Sequence, residues 1–204
     1  RGMTLPEQPA RPRGSYAKGV ARRQEILDRA IEVFAQRGGT RTSLRAIAQE
    51  VGVTHAALTH YFGSLEELLV AVYDESSRRP GDNEYTPGEV TPAEMMRRSA
   101  EENRAIPGMV QLYSTLNATA IDGNHPAAQA YVTERFADLR ARLAAQVREQ
   151  QASGTLRADV DADLAAALVI AASDGLQIQW LLDPEVDHAA ALRLLDRLLS
   201  TPES

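Results

Sequence analysis

Residues 43–62 read SLRAIAQEVGVTHAALTHYF, and the reading of the whole fold starts there. Leu44, Ile47, Ala48 and Val51 recur on one face of a short helix, which Gly52 stops. A second helix opens at Thr54, whose hydroxyl can cap it. Ala48 sits where two helices must approach closely, and Ile47, Val53 and Leu58 supply a small core. Two short helices around Val51-Gly52-Val53 have helix-turn-helix spacing, in which the second helix is held out to enter a major groove. That helix begins Thr54, His55, Ala56, Ala57, with Thr59 and His60 following. Such small and polar groups allow a close approach between phosphate rails. A helical hairpin that only packs has the same spacing, so the flanking sequence must discriminate.

On the N-terminal side, residues 1–20 contain Pro6, Pro9, Pro12, Gly14 and Gly19 without apolar periodicity, which predicts a flexible basic arm over 1–19. A helix is expected from Val20, with Ile26, Leu27, Ala30, Ile31 and Phe34 in phase, ending at Gly38-Gly39. Lys18, Arg22 and Arg23, next to the folded part, are candidate phosphate contacts, and Arg45 is a further basic candidate. Arg11 and Arg13 read equally as a solvated tail or as side chains reaching a minor groove.

Charge placement supports this reading. The chain of 204 residues has a net charge of −6, which taken alone argues against a nucleic-acid partner. Residues 1–65, however, carry ten basic and five acidic side chains, or +5. The rest, with 12 basic and 23 acidic, carries −11. A basic third and an acidic remainder imply two jobs. There is no cysteine, which excludes disulfides, a thiol nucleophile and thiolate metal sites and fits a reducing cytoplasm. The first residues lack the apolar core of a signal peptide. Leu164 to Leu182 approaches the length of a bilayer span, but Asp174, Gln177 and Gln179 within it favour a buried helix.

Beyond the turn, Ser64-Leu65-Glu66-Glu67 is a capping box opening a helix to about Ser77, and Arg79 to Val90 reads as a loop. Thr91-Pro92-Ala93-Glu94 is a second capping box with proline at the first helical position. Further helices are expected over 92–105, 107–121, 126–152, 161–182 and 187–200, and nothing alternates with period two. The expectation is an all-α chain of about nine helices. Its divisions are an arm (1–19), a three-helix helix-turn-helix DNA-binding domain (20–65) and a helical effector-binding and dimerisation domain (66–204).

These residues resemble the TetR-type transcriptional repressors. The likeness covers roughly 20–75: Ile26-Leu27, Ala30, Phe34 and Gly38; Thr42-Ser43 and Ile47-Ala48; Val51-Gly52-Val53-Thr54; then Leu58, Tyr61-Phe62 and Leu68. The resemblance implies that Ser43, Thr54 and Tyr61 touch phosphates and that His55, Ala57 and His60 face the groove with Thr59 beside them. Four positions depart from the family pattern: Gly39 replaces an aromatic, Ala56 a glycine, Thr59 a frequent tyrosine, and Leu65 a phosphate-binding lysine. At Leu65 the helix N-terminus itself can still face a phosphate.

The family plan further implies a homodimer, double-stranded operator DNA and a small-molecule effector, with no cofactor. The sequence supports dimerisation independently. Leu164 to Leu182 is apolar nearly all round, and 187–200 adds Ala191, Leu192, Leu194, Leu195, Leu198 and Leu199, so the helices at 161–182 and 187–200 must bury more than one face. The core of a monomer is the plainer alternative. Candidate effector residues are Met95, Met109, Tyr113, Asn117, Phe136, Asp174, Gln177 and Trp180, with Met96 beside them. Asp174 and Gln177 are the stronger clues because polar groups inside an apolar helix need partners. His125 reads as a turn or cap residue before Pro126. An enzyme is disfavoured, since HExxH, GxSxG and GxxxxGK are absent and His55 and His60, five apart, do not share a helical face. A helical adaptor without DNA binding is the remaining alternative.

Overall fold

The two helices of the helix-turn-helix meet through a backbone device at their junction. Gly52 has φ +74°, a left-handed value that turns the chain sharply after α2 (Leu44–Val51), and Val53 N–H donates to Ala48 C=O at 2.9 Å. Arg29, from α1 (Arg13–Arg37), donates from Nη1 to the Val51 carbonyl at 2.9 Å, satisfying an orphan acceptor at the end of α2. Thr54 then caps α3 (His55–Phe62) by accepting from Ala57 N–H at 3.1 Å. Gly63 ends α3 with φ +71°, and a side chain there would collide with the Glu67 carboxylate. Ser64 accepts from Glu67 N–H at 3.2 Å and starts α4 (Leu65–Ser77).

These features come from a computed structural model, which describes residues 13–37, 44–77 and 90–202. The second part contains α5 (Pro92–Ala105), α6 (Met109–Ile121), α7 (Pro126–Ala152), α8 (Ala162–Leu182) and α9 (His188–Leu199). The described residues thus form nine helices and no strand, with one isolated bridge between Leu156 and Ser200. Thr42, Ser43, Gly38-Gly39, most of the 79–90 loop and the arm up to Pro12 lie outside the described residues.

One boundary needs correction. Helix α1 begins at Arg13 rather than Val20, so residues 13–19 of the expected arm are helical. Pro12 is the last proline before α1, and Gly14 and Gly19 each cost a helix about 1 kcal/mol without stopping it.

Burial follows the periodicity. Ile26, Leu27 and Ala30 of α1, Ile47 and Ala48 of α2, Leu58 and Phe62 of α3, and Leu68, Val72 and Tyr73 of α4 form one core. That core continues into Leu112, Tyr113 and Leu116 of α6 and Val132 of α7, so α4 is shared between the helix-turn-helix and the helices beyond it. A second cluster joins α5, α7 and α8 through Met96, Leu143, Ala166 and Val169. The Thr91 hydroxyl caps α5 and donates to Asp196, tying α5 to α9.

Helix α8 is long and apolar enough to cross a membrane by length and composition. Here it packs against α5, α6, α7 and α9 with Val169, Ile170, Ser173 and Gln177 buried. Its other face is open: Leu164, Leu168, Ile178 and Leu182 are at least half exposed, as are Leu194 and Leu198 of α9.

Candidate nucleic-acid interface and effector space

Helix α3 divides its residues cleanly. Leu58 and Phe62 are buried in the core, whereas Thr54, His55, Ala56 and His60 are exposed. Ala57 and Thr59 lie at the margin, and the Thr59 hydroxyl donates to His55 C=O at 2.9 Å. His60 meets Tyr61 edge-on, and Tyr61 is half-buried against the core. Lys18, Arg22, Arg23 and Arg45 are all exposed. Arg22 pairs with Glu25 one turn on, and the Arg23 guanidinium sits 4.9 Å from the centre of the Phe62 ring, against the end of α3. Ser43 lies outside the described residues. His125 stands at the N-cap of α7 without a side-chain capping bond, its Nδ1 3.6 Å from Glu66.

The candidate effector residues split into a group that meets and a group that does not. Tyr113 Oη donates to Asp174 Oδ2 at 3.0 Å, linking α6 to α8. Asn117, one turn from Tyr113, keeps a buried Oδ1 without a hydrogen-bond partner. Gln177 is buried, with a weak Nε2 contact to Ser173 C=O at 3.4 Å and an unpartnered Oε1. Phe136 packs against both core clusters and lines a cavity of about 340 Å³ between α7 and α8. Its other walls are Arg140, Ala167, Ile170, Ala171 and Asp174. Met109 belongs instead to the first core and Met95 to the edge of the second. Trp180 lies under the Arg104 guanidinium at 5.5 Å, away from the cavity walls.

Sequence reading passes over two residues that the fold brings here. Tyr73 of α4 stacks on Tyr113 with ring centres 5.2 Å apart. The Arg135 guanidinium lies 5.0 Å from the Tyr73 ring and 5.7 Å from that of Tyr113. Tyr73 fits the apolar face of α4 like any core aromatic, and Arg135 has the sequence context of a solvated charge. Only the approach of α4, α6 and α7 makes them neighbours.

Two titrating groups in this domain oppose each other. Burial pushes the Asp174 carboxyl up to about 6, against the pull of Tyr113 and Arg135. Burial, with repulsion from Arg104, pushes the fully buried His188 down to about 4, and neither of its ring nitrogens has a partner. The unfolded chain protonates His188 below 6.5, so that site loses folding stability as pH falls from 6.5 towards 4. The folded protein protonates Asp174 before the unfolded chain does, so that site gains stability as pH falls from about 6 to 3.8. Asp174→Asn should therefore unmask the histidine. Urea melts of the variant should lose on the order of 2 kcal/mol more than wild type between pH 6.5 and pH 4. Parallel pH profiles for the two proteins would contradict the assignment.

A buried helix-turn-helix core with one polar face of α3 left open, continuous with a helical domain that holds polar groups inside, is the architecture of a DNA-binding regulator. The sequence matches the family profile of bacterial regulatory proteins, tetR family, over residues 26–72, and that of the BetI-type transcriptional repressor C-terminal domain over 117–201. An HTH-type transcriptional repressor of Mycobacterium tuberculosis, Rv1474c, is 25% identical over 165 residues, covering 81% of this chain and 85% of that protein. The HTH-type transcriptional regulator BetI of Brucella anthropi is 37% identical over 62 residues, 30% of this chain and 32% of that protein. A transcriptional regulator from Saccharomonospora viridis, solved in complex with choline, superposes with a TM-score of 0.70 at 20% identity, covering 90% of this chain and 100% of that one. The chain belongs to the TetR family: it is a DNA-binding transcriptional repressor and not an enzyme.

Proposed function

We propose that two copies of this chain pair through α8 and α9 and read a palindromic operator, and that a small molecule held among α6, α7 and α8 releases it. The observation that carries the DNA reading is the division of α3. One face is locked into the core by Leu58 and Phe62, and Thr54, His55, Ala56 and His60 are left exposed. In this reading His55 and His60 face base edges with Ala57 and Thr59 beside them. Thr54 and Tyr61, with Ser43, lie along phosphates, and Lys18, Arg22, Arg23 and Arg45 add cationic contacts. The Thr54 hydroxyl accepts from Ala57 N–H, which leaves its own hydrogen for a phosphate oxygen. Work on chromosomal DNA implies a cytoplasmic protein.

The exposed leucines of α8 and α9 support pairing. Apolar side chains gathered on adjoining helices are stabilised by covering one another, and two helices from each copy make a four-helix interface. The recognition helices would then reach half-sites one turn of DNA apart, roughly 34–36 Å. For the effector, Tyr113, Asn117, Phe136, Asp174 and Gln177 are retained as candidates, whereas Met95, Met109 and Trp180 serve packing. Helix α4 supplies the coupling: Tyr73 touches Tyr113 at one end of the path, and Glu75 accepts from Gln24 of α1 at 3.0 Å. An effector acts only by favouring one arrangement of α4 over another.

Binding to DNA from upstream of its own gene, followed across a salt series, tests the proposal. Log affinity should fall against log salt with a slope of about −0.9 per phosphate contact. Lys18→Ala should weaken every sequence alike and flatten the slope by about one contact, whereas His55→Ala should relax base preference by roughly 1–3 kcal/mol. Identical behaviour of the two variants would refute the division into phosphate and base contacts. No retention of the fragment at low salt would remove that operator.

A further inference from the structure

Arg135 is a largely buried cation on which Asp174 acts only through space. Among the described residues no carboxylate lies within ion-pair distance of it, and its Nε is inaccessible to solvent and has no hydrogen-bond partner. The guanidinium lies against the rings of Tyr73 and Tyr113 and within reach of the Tyr113 hydroxyl, which compensates part of the lost hydration but leaves Nε without a partner. Buried charges are otherwise paired, so the missing component is an acceptor with negative charge. Arg140, one turn beyond Phe136 on the same helix, lines the adjoining cavity. Asp174 is the only acid in the cavity wall, and its Oδ2 already accepts from Tyr113. Two guanidinium groups against one engaged carboxyl make this a locally positive place within residues 66–204, which together carry −11. The remaining walls, Phe136, Ala167, Ile170 and Ala171, are apolar.

We propose that the effector is an amphipathic organic anion whose acidic group is received by Arg135, with Arg140 at the rim, and whose apolar part lies along Phe136 and Ile170. This rests on the reading of the space among α6, α7 and α8 as the effector site. A bidentate carboxylate satisfies the guanidinium fork in its own plane, a role the tyrosine faces cannot fill. Drawing Arg135 towards the cavity also takes it off the Tyr73 ring, and Tyr73 belongs to the helix that leads back to the DNA-binding unit.

Octanoate, octanamide and octyltrimethylammonium share an apolar chain and differ in charge. Titrated calorimetrically into the full-length protein, octanoate should bind at least about tenfold more tightly than either of the others. Arg135→Met should abolish that preference while octanamide still binds, and Arg135→Lys should retain part of it. Asp174→Asn, by removing the competing carboxyl, should bind octanoate more tightly than wild type. Circular dichroism checks that each variant keeps its helices, and the Asp174 variant tests the charge argument even if Arg135→Met fails to fold. Tighter binding of the amide or the ammonium, or a preference for octanoate that survives in Arg135→Met, overturns the anion while the effector site stands. Absence of binding by all three overturns the effector site and the anion together.

Discussion

Leu168→Glu combined with Ile178→Glu should leave the protein monomeric, with helicity unchanged and operator affinity reduced by about 10²–10⁴-fold. Both side chains are more than half exposed on α8, so the protomer's own core does not sense the change. Surface substitutions of this kind are worth little to the folded chain. In the proposed dimer, by contrast, each copy would press two carboxylates into a largely apolar interface. The second recognition helix would then no longer be held near the first, and the loss of that effective concentration sets the fold-change. Sedimentation velocity reads the assembly state and a DNA titration reads the affinity. A variant that sediments as a dimer with unchanged operator binding would mean that α8 and α9 are not the pairing face.

Leu58→Ala should have the largest effect on folding. Leu58 is fully buried where α3 packs on α2 and α4, in the core that also holds Ile26, Ile47 and Leu68. Removing its branched end takes away apolar burial and leaves a cavity that three short helices cannot close without moving. The expected cost is about 2–5 kcal/mol, measured by urea unfolding of wild type and variant. DNA binding should fall with it, since His55 and His60 are oriented by the same helix, whereas the α8–α9 surface should be unaffected. A loss below about 1 kcal/mol would show that α3 is not held by this core. The two experiments separate cleanly, because one removes pairing from an intact reader and the other removes the reader from an intact pair.

The extent of what could be read from the sequence follows the range of the forces involved. Thr54, Ser64, Thr91 and Asp161 all cap helices. Capping is a contact between residues two or three apart, so sequence spacing reveals it. The Ile47-Ala48-Val51 face and the Gly52 turn were legible for the same reason. The start of α1 was not, because a proline-poor stretch with two glycines is close to balanced between coil and helix. At the candidate sites, the polar residues inside α8 were conspicuous as exceptions to an apolar pattern, and Tyr113 and Asp174 do meet. Met95, Met109 and Trp180 were not separable from them, since core methionines and aromatics follow the same helical spacing as ligand walls.

The opening stretch, 43–62, together with its basic flank determined the class of the molecule. Two short amphipathic helices around a left-handed glycine can pack in few ways, and the basic flank gives the open face its partner. The placement of charge along the chain, +5 over residues 1–65 and −11 over 66–204, was likewise a property of sequence alone. Tertiary structure decided which face of α8 is left open, and it decided what surrounds Arg135. Tyr73, Tyr113, Arg135 and Asp174 come from four helices spread over about a hundred residues. A buried guanidinium against two stacked aromatic rings exists only once those helices have packed. Helix periodicity fixes which side chains point inward on each element, but not which inward-pointing side chains from different elements will touch.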